Sequence, residues 1–219
     1  MTTHTMDLAS VLQRCGLIAI LRGVRPDEVV AIGRALYEAG FRIIEVPLNS
    51  PEPLVSIRTL RAALPADCLL GAGTVTTAQA CLEVAAAGGQ VIVMPHSDTA
   101  VISAAKAAGL FCAPGVATVT EAYAALAAGA DILKLFPAES LSPAVLKAWR
   151  AVLKKPVVLV PVGGIVPESI APYTAAGASG FGLGSALYRP GDTPLDVARQ
   201  AGAFMQAWRN SNPVVMAHT

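Results

Sequence analysis

The feature that most constrains this chain is a pattern of punctuation. Helix-compatible segments end in Ala-Gly at Ala39-Gly40, Ala87-Gly88, Ala108-Gly109, Ala128-Gly129 and Ala176-Gly177, and an apolar run begins within a few residues of each. Glycine at such a place fits the left-handed residue that ends many helices. The apolar runs are Leu17–Leu21, Ile43–Leu48, Leu69–Val75, Val91–Pro95, Phe111–Pro114, Ile132–Phe136, Val157–Val162 and Gly180–Leu183, eight in all, starting about 20 to 26 residues apart. That spacing is one strand–helix unit. The runs are nearly continuous rather than alternating, as in parallel strands covered on both faces. Ser50-Pro51 and Ser142-Pro143 read as helix starts, a capping serine before a proline at the first helical position.

Eight such units predict an α/β protein. The expected architecture is a single (β/α)8 TIM barrel over residues 1–219, with a short helix before Leu17 lying across the barrel bottom. An open doubly wound sheet is the rival arrangement. No linker, low-complexity tract or second domain is visible. Hydrophobic residues make up 54% of the chain and charged residues 14%, enough to bury a large core. The formal net charge is +1 with no dense run of Lys or Arg, which argues against nucleic acid as a partner. Mean hydropathy is high, yet every apolar stretch is broken well before the ~18 residues a membrane span needs. The first residues include Asp7 and have no apolar core of a secretory signal. Cys15, Cys68, Cys81 and Cys112 show no C-x-x-C spacing and read as buried hydrophobes in a reducing compartment, so a cytoplasmic location is expected.

In a barrel, chemistry belongs at the C-terminal ends of the strands. Two runs carry a charge inside an otherwise apolar stretch, Glu45 in Ile43-Ile44-Glu45-Val46-Pro47 and Lys134 in Ile132-Leu133-Lys134-Leu135-Phe136. Burying either charge costs several kcal/mol. One reading is a structural ion pair. The other is a Schiff-base lysine with a glutamate that transfers protons. An ordinary lysine, with a pKa of ~10.4, is almost wholly charged at neutral pH, and an apolar slot supplies the neutral amine that attacks a carbonyl. A carboxylate would raise the lysine pKa, so Glu45 would serve proton transfer rather than activation. Arg22, at the end of the first run, reads either as a surface residue or as a planar fork for a substrate carboxylate. Thr74 ends the third run behind Gly71-Ala72-Gly73.

The last two runs end in Val162-Gly163-Gly164 and Gly182-Leu183-Gly184-Ser185, the second before a helix-like segment. Barrel phosphate sites are often built from these two loops, with backbone N–H groups and a short helix N-terminus facing the anion. The glycines also read simply as turn residues. Metal chemistry lacks ligands: His4 and His218 fall in the tails, His96 stands alone near the fourth run, and no zinc-like spacing occurs.

Taken in order, five motifs are similar to those of a known family. They are Ile18-Ala19-Ile20-Leu21-Arg22-Gly23, Glu45-Val46-Pro47-Leu48-Asn49-Ser50, Gly71-Ala72-Gly73-Thr74-Val75, Lys134-Leu135-Phe136-Pro137 and Val162-Gly163-Gly164. From about Leu17 to Arg189 the chain resembles the 2-keto-3-deoxy-6-phosphogluconate and 2-keto-3-deoxy-6-phosphogalactonate aldolases. The resemblance implies a class I aldolase barrel, a homotrimer that needs no metal or other cofactor and acts on a phosphorylated 2-oxo acid. By position it implies Lys134 as the Schiff-base lysine and Glu45 as the acid/base. It implies Arg22 and Thr74 at the pyruvate end, Pro95 and Phe136 lining the pocket, and Gly163, Gly164, Gly184 and Ser185 at the phosphate.

The gluconate branch typically has Thr-Leu-Arg-Thr after Glu-Val and a threonine before Gly-Gly, where this chain has Pro47-Leu48-Asn49-Ser50 and Val162. The departure removes a second arginine, looks like the galactonate branch, and makes Val162 and Asn49 the candidates for selection at C4. The expected reaction is cleavage of 2-dehydro-3-deoxy-6-phosphogalactonate to pyruvate and glyceraldehyde 3-phosphate. The gluconate epimer or 4-hydroxy-2-oxoglutarate is the same-class alternative. A phosphate-binding-barrel isomerase or synthase, or a sugar-phosphate-binding module, would share the glycine loops without imine chemistry.

Overall fold

The computed structural model describes residues 8–212. Among them the strands, in chain order, are β1 (Leu17–Ile20), β2 (Ile43–Pro47), β3 (Leu69–Gly73), β4 (Val91–Val93), β5 (Phe111–Ala113), β6 (Gly115–Val116), β7 (Leu133–Leu135), β8 (Leu159–Pro161) and β9 (Phe181–Leu183). The helices are α1 (Leu8–Arg14), α2 (Val29–Ala39), α3 (Pro53–Ala63), α4 (Ala78–Ala86), α5 (Thr99–Ala107), α6 (Val119–Ala127), α7 (Pro143–Trp149), α8 (Pro167–Ala175) and α9 (Pro194–Ser211).

All pairings are parallel. One ladder runs β5-β4-β3-β2-β1-β9 and a second runs β6-β7-β8. Together they make an α/β fold around a curled parallel sheet, not an open doubly wound one. The ladders are linked at both edges: a bridge pairs Val162 with Gly182 and Ser179 N donates to the Leu159 carbonyl, while the N–H groups of Asp131 and Ile132 both donate to the Cys112 carbonyl. The run Phe111–Pro114 gives β5, and a further short strand, β6, follows beyond Pro114, which has no N–H to give to a ladder, although its carbonyl accepts from Lys134 N at 2.9 Å.

The Ala-Gly signals mark helix ends as expected: Gly40, Gly88, Gly109, Gly129 and Gly177 all have φ between 73° and 114°. The helix expected at Ser50-Pro51 begins two residues later, at Pro53, behind Glu52. The Ser50 hydroxyl is committed elsewhere, accepting from Gly23 N at 2.9 Å, and so ties the β2 loop to the β1 loop. Pro143 does open α7, though Ser142 makes no side-chain capping bond.

Alternate strand residues point to opposite faces. One face packs outward against the helices through Leu17, Ala19, Ile44, Val46, Leu70 and their neighbours. The other forms a smaller inner cluster of Ile18, Ile20, Ile43, Leu69, Val91, Val93, Ala113, Ile132, Val160 and Val162. Leu8 and Val11 of α1 join it from the strand N-termini, as expected of a short helix across the bottom. The cysteines are free and buried.

Candidate active site

The period of two that builds the inner cluster also aims the polar groups. Glu45 follows Ile43 by two, Lys134 follows Ile132 by two, and Arg22 follows Ile20 by two. Glu45 and Lys134 therefore stand on the inner face one step nearer the strand C-termini, on a floor of isoleucine and valine, while Arg22 is exposed in the turn just past β1. Glu45 is 2% exposed and Lys134 8%.

No ion pair joins Glu45 and Lys134 among the described residues, and Glu45 Oε2 is buried without a hydrogen-bond partner. A structural ion pair is thus not what holds these charges. Burial pushes the Glu45 pKa up from 4.5 to about 7, against the opposing pull of Lys134 and then Arg22. Burial likewise drives the Lys134 pKa below its ordinary value; the Glu45 charge opposes this and the Arg22 charge adds to it. The two groups are moved toward each other and toward neutrality, the condition for a nucleophilic amine beside a carboxyl that both takes and gives a proton. Lys134 Nζ also stands 4.3 Å from the centroid of the Phe136 ring.

The recess that holds the carboxylate is made by a missing side chain. A Cβ on Gly73 would overlap the carboxyl group of Glu45. Thr74, the next residue, has φ 57°, a left-handed conformation that a β-branched residue rarely adopts. Arg22 Nη1 donates to Asn49 Oδ1 at 2.7 Å, so Asn49 holds the guanidinium at the mouth of the site. The Pro95 carbonyl lies against Gly115, whose register partner is Lys134.

A cavity of about 290 Å³ opens beside these groups, lined by Arg22, Phe136, Val162, Gly163, Gly164, Gly184 and Ser185, all singled out from sequence. Glu45, Lys134, Thr74, Pro95 and Asn49 do not line it; Phe136, whose ring stands beside Lys134 Nζ, and Arg22 join the cavity to the buried pair. Gly163 and Gly164 have φ 111° and 61°, which turns the chain sharply after β8. The segment after Ser185 is not a helix, however. It is a single turn in which Leu187 N and Tyr188 N both donate to the Gly184 carbonyl; the helix start at the cavity is instead that of α8, whose N-cap Val166 lines it.

Two residues escaped the sequence reading. Gly73 was counted only as a flexible neighbour of Thr74. Arg189 lines the cavity and was passed over because the glycine loops were read for their backbone donors alone. A cation four residues past Ser185 was the available signal.

A larger hollow of about 610 Å³ lies between α2 and α9, but alanines line much of it and it holds no lysine or histidine. Among the described residues no group of three or more His, Cys, Asp and Glu gathers in a way that would hold a metal ion. His96 is exposed beyond β4, while His4, His218 and Asp7 lie outside the described residues. Among the described residues no helix is long and apolar enough to cross a membrane.

The profile described as "Aldolase: KDPG and KHG aldolase" matches residues 8–193. A protein of Rhizobium meliloti (strain 1021), the "Probable 2-dehydro-3-deoxy-6-phosphogalactonate aldolase", is 47% identical over 88% of this chain and 91% of its own length. The "2-dehydro-3-deoxy-6-phosphogalactonate aldolase" of Escherichia coli (strain K12) is 44% identical over 89% of this chain and 95% of its own. The solved structure described as "Native KDPGal structure" superimposes with a TM-score of 0.88 at 44% identity, covering 90% of this chain and 96% of that one. A profile match across most of the chain, relatives well above 40% identity and a common fold agree with the buried lysine and glutamate: the chain belongs to the KDPG and KHG aldolase family and is an aldolase.

Proposed function

We propose that the protein is a class I aldolase that cleaves 2-dehydro-3-deoxy-6-phosphogalactonate to pyruvate and glyceraldehyde 3-phosphate through an imine on Lys134. The observation that carries this reading is the buried, unpaired couple of Lys134 and Glu45, each driven toward its neutral form by burial. The substrate follows the relatives at 47% and 44% identity and the absence of a hydrogen-bonding side chain at Val162.

The neutral amine of Lys134 adds to the C2 carbonyl, and the neutral carboxyl of Glu45 protonates the departing hydroxyl, so that water leaves behind a protonated imine and a Glu45 carboxylate. Glu45 takes the proton of the C4 hydroxyl. The electron pair of the C3–C4 bond moves to the imine nitrogen, glyceraldehyde 3-phosphate departs, and an enamine remains. Glu45 gives that proton to C3, and water hydrolyses the protonated imine to pyruvate and free amine, the released proton returning to the Glu45 carboxylate. A carboxyl group with a pKa near 7 is suited to both halves of that exchange. Arg22, held by Asn49, orients the substrate carboxylate, with Thr74 and Pro95 beside it and Phe136 against the imine. Gly163, Gly164, Gly184 and Ser185 receive the phosphate. The 2-keto-3-deoxy-6-phosphogluconate epimer stands as a second substrate, because removing a selecting hydroxyl at Val162 need not create the opposite preference.

Three wider features belong to the same reading. The curled sheet closes into an eight-stranded barrel, with β5 and β6 as one strand interrupted at Pro114; the Val162–Gly182 bridge supports this. The chain acts as one domain over residues 1–219, consistent with a core continuous from Cys15 to Trp208. The protein works as a cytoplasmic homotrimer, as the family resemblance implies.

The test is trapping. Pyruvate with borohydride should add one reduced pyruvyl group, located at Lys134 by peptide mass, and Lys134→Arg should abolish it, since a guanidinium stays charged and forms no imine. Absence of labelling in the unaltered protein, or labelling that survives the substitution, refutes the imine.

A further inference from the structure

Building on that reading, we infer that Arg189 is the phosphate-binding cation of this site. The phosphate donors read from sequence are neutral: backbone N–H groups and one hydroxyl. A phosphate monoester carries about −1.5 to −2 charge, and charge-assisted hydrogen bonds are roughly twice as strong as neutral ones. The structure supplies the missing charge on the same wall. Arg189 lines the cavity with Gly184 and Ser185, and its Nε donates to the Ser185 carbonyl at 2.8 Å. That bond fixes the plane of the guanidinium and leaves its two NH2 groups free. Among the described residues no carboxylate forms an ion pair with it.

The backbone behind Arg189 is anchored rather than loose. Its N–H donates to Asp192 Oδ2 at 2.9 Å. The buried Tyr188 donates from its hydroxyl to Glu28 Oε1 at 3.0 Å, and Pro190 packs on Gly23. The loop that carries Arg189 is therefore clamped to the loop that carries Arg22, and both arginines line the same cavity.

The two arginines differ in what they reach. Arg22 is bonded to Asn49 and its charge acts on both Glu45 and Lys134, which puts it at the imine end. Arg189 is bonded to the Ser185 carbonyl, which puts it on the wall of the last glycine loop. The Glu139 carboxylate packs behind Gly163 and Gly164 without lining the cavity, an anion on the glycine loop against which a phosphate needs the charge of Arg189.

The experiment compares Arg189→Gln and Arg189→Lys with the unaltered protein in three measurements. These are cleavage of 2-dehydro-3-deoxy-6-phosphogalactonate, competition by inorganic phosphate, and exchange of pyruvate methyl protons with deuterated water. Arg189→Gln should raise KM for the phosphorylated substrate and weaken inhibition by inorganic phosphate by about 10- to 100-fold each, the usual weight of a charged hydrogen bond. Exchange into pyruvate, which has no phosphate, should stay within about twofold, because remote binding is separable from the chemistry. Arg189→Lys should fall between, keeping the charge but losing the fork. Unchanged KM and phosphate inhibition, or an equal loss in pyruvate exchange, overturns the assignment. If the unaltered protein neither exchanges nor traps pyruvate, the aldolase reading of Lys134 fails. Direct titration of inorganic phosphate into the same three proteins then still decides the role of Arg189.

Discussion

Replacing Glu45 with glutamine should make this protein more stable and nearly inactive, with the gain in stability depending on pH. The carboxyl group is 2% exposed, and its pKa is raised from 4.5 to about 7. Each tenfold in proton affinity is worth about 1.4 kcal/mol, so holding the charge in the folded state costs about 3 kcal/mol once the pH is well above 7. A carboxyl with a raised folded pKa favours folding below its unfolded value, and this benefit is lost as pH rises through the folded value. The penalty is therefore about 1 kcal/mol near pH 5 and about 3 kcal/mol near pH 8. Glutamine keeps the shape without the charge and leaves Oε2 no worse partnered than it already is. Near pH 8, Glu45→Gln should raise the melting temperature by about 6–12 °C, and near pH 5 by only about a third of that, for a chain of this size. Turnover should drop by about 10²–10⁴, the weight of a positioned acid/base. The assay pairs denaturation at the two pH values with steady-state cleavage. An equal stability change at both pH values would refute the buried-charge argument, and turnover near the wild-type rate would leave Glu45 a structural residue.

Val162→Thr restores a hydroxyl before Gly163-Gly164 and should move the ratio of kcat/KM for the two epimers toward the gluco form by about ten- to a hundredfold, the worth of one hydrogen bond to a substrate hydroxyl. A ratio that does not move shifts the selection to Asn49. Gly73→Ala puts a methyl group where the Glu45 carboxylate lies, and should cost about 1–3 kcal/mol of stability and about 10² in kcat from the displaced carboxyl. Combining it with Glu45→Asp should recover stability but not turnover; a kcat near wild type in Gly73→Ala would show that Glu45 does not depend on this recess.

The strand–helix alternation was legible because it is written in residues whose physics is local. The five Ala-Gly pairs sit where the backbone needs a positive φ, and the apolar runs match the strands with shifts of a residue or two at their ends. Lys134 and Glu45 stood out because a charge in an apolar strand has no cheap structural excuse. Four things could not be read that way. The short β6 beyond Pro114 exists through its pairing with Lys134 and Leu135, and the start of α3 depends on Ser50 being used by Gly23, a partner 27 residues away. The importance of Gly73 lies in the position of the Glu45 carboxylate on the adjoining strand, which no local pattern encodes. Arg189 belongs to the same class: a polar residue in a loop acquires meaning only from the wall on which the turn places it.

The pairing of β1 with β9, Leu17 against Phe181, joins the two ends of the chain. A ribosome adding about 5–20 residues per second takes on the order of ten to thirty seconds to travel between them. Throughout that interval one edge of β1 is an apolar strand without its partner, and such edges recruit other chains. Glu45 and Lys134 are both made well before the wall that carries Ser185 and Arg189, so a nascent chain stalled before β9 holds the reacting groups without a place for substrate. Expression yield should accordingly respond to chaperones that shield strand edges during synthesis, and catalytic competence should appear with the last strand rather than in proportion to the length made.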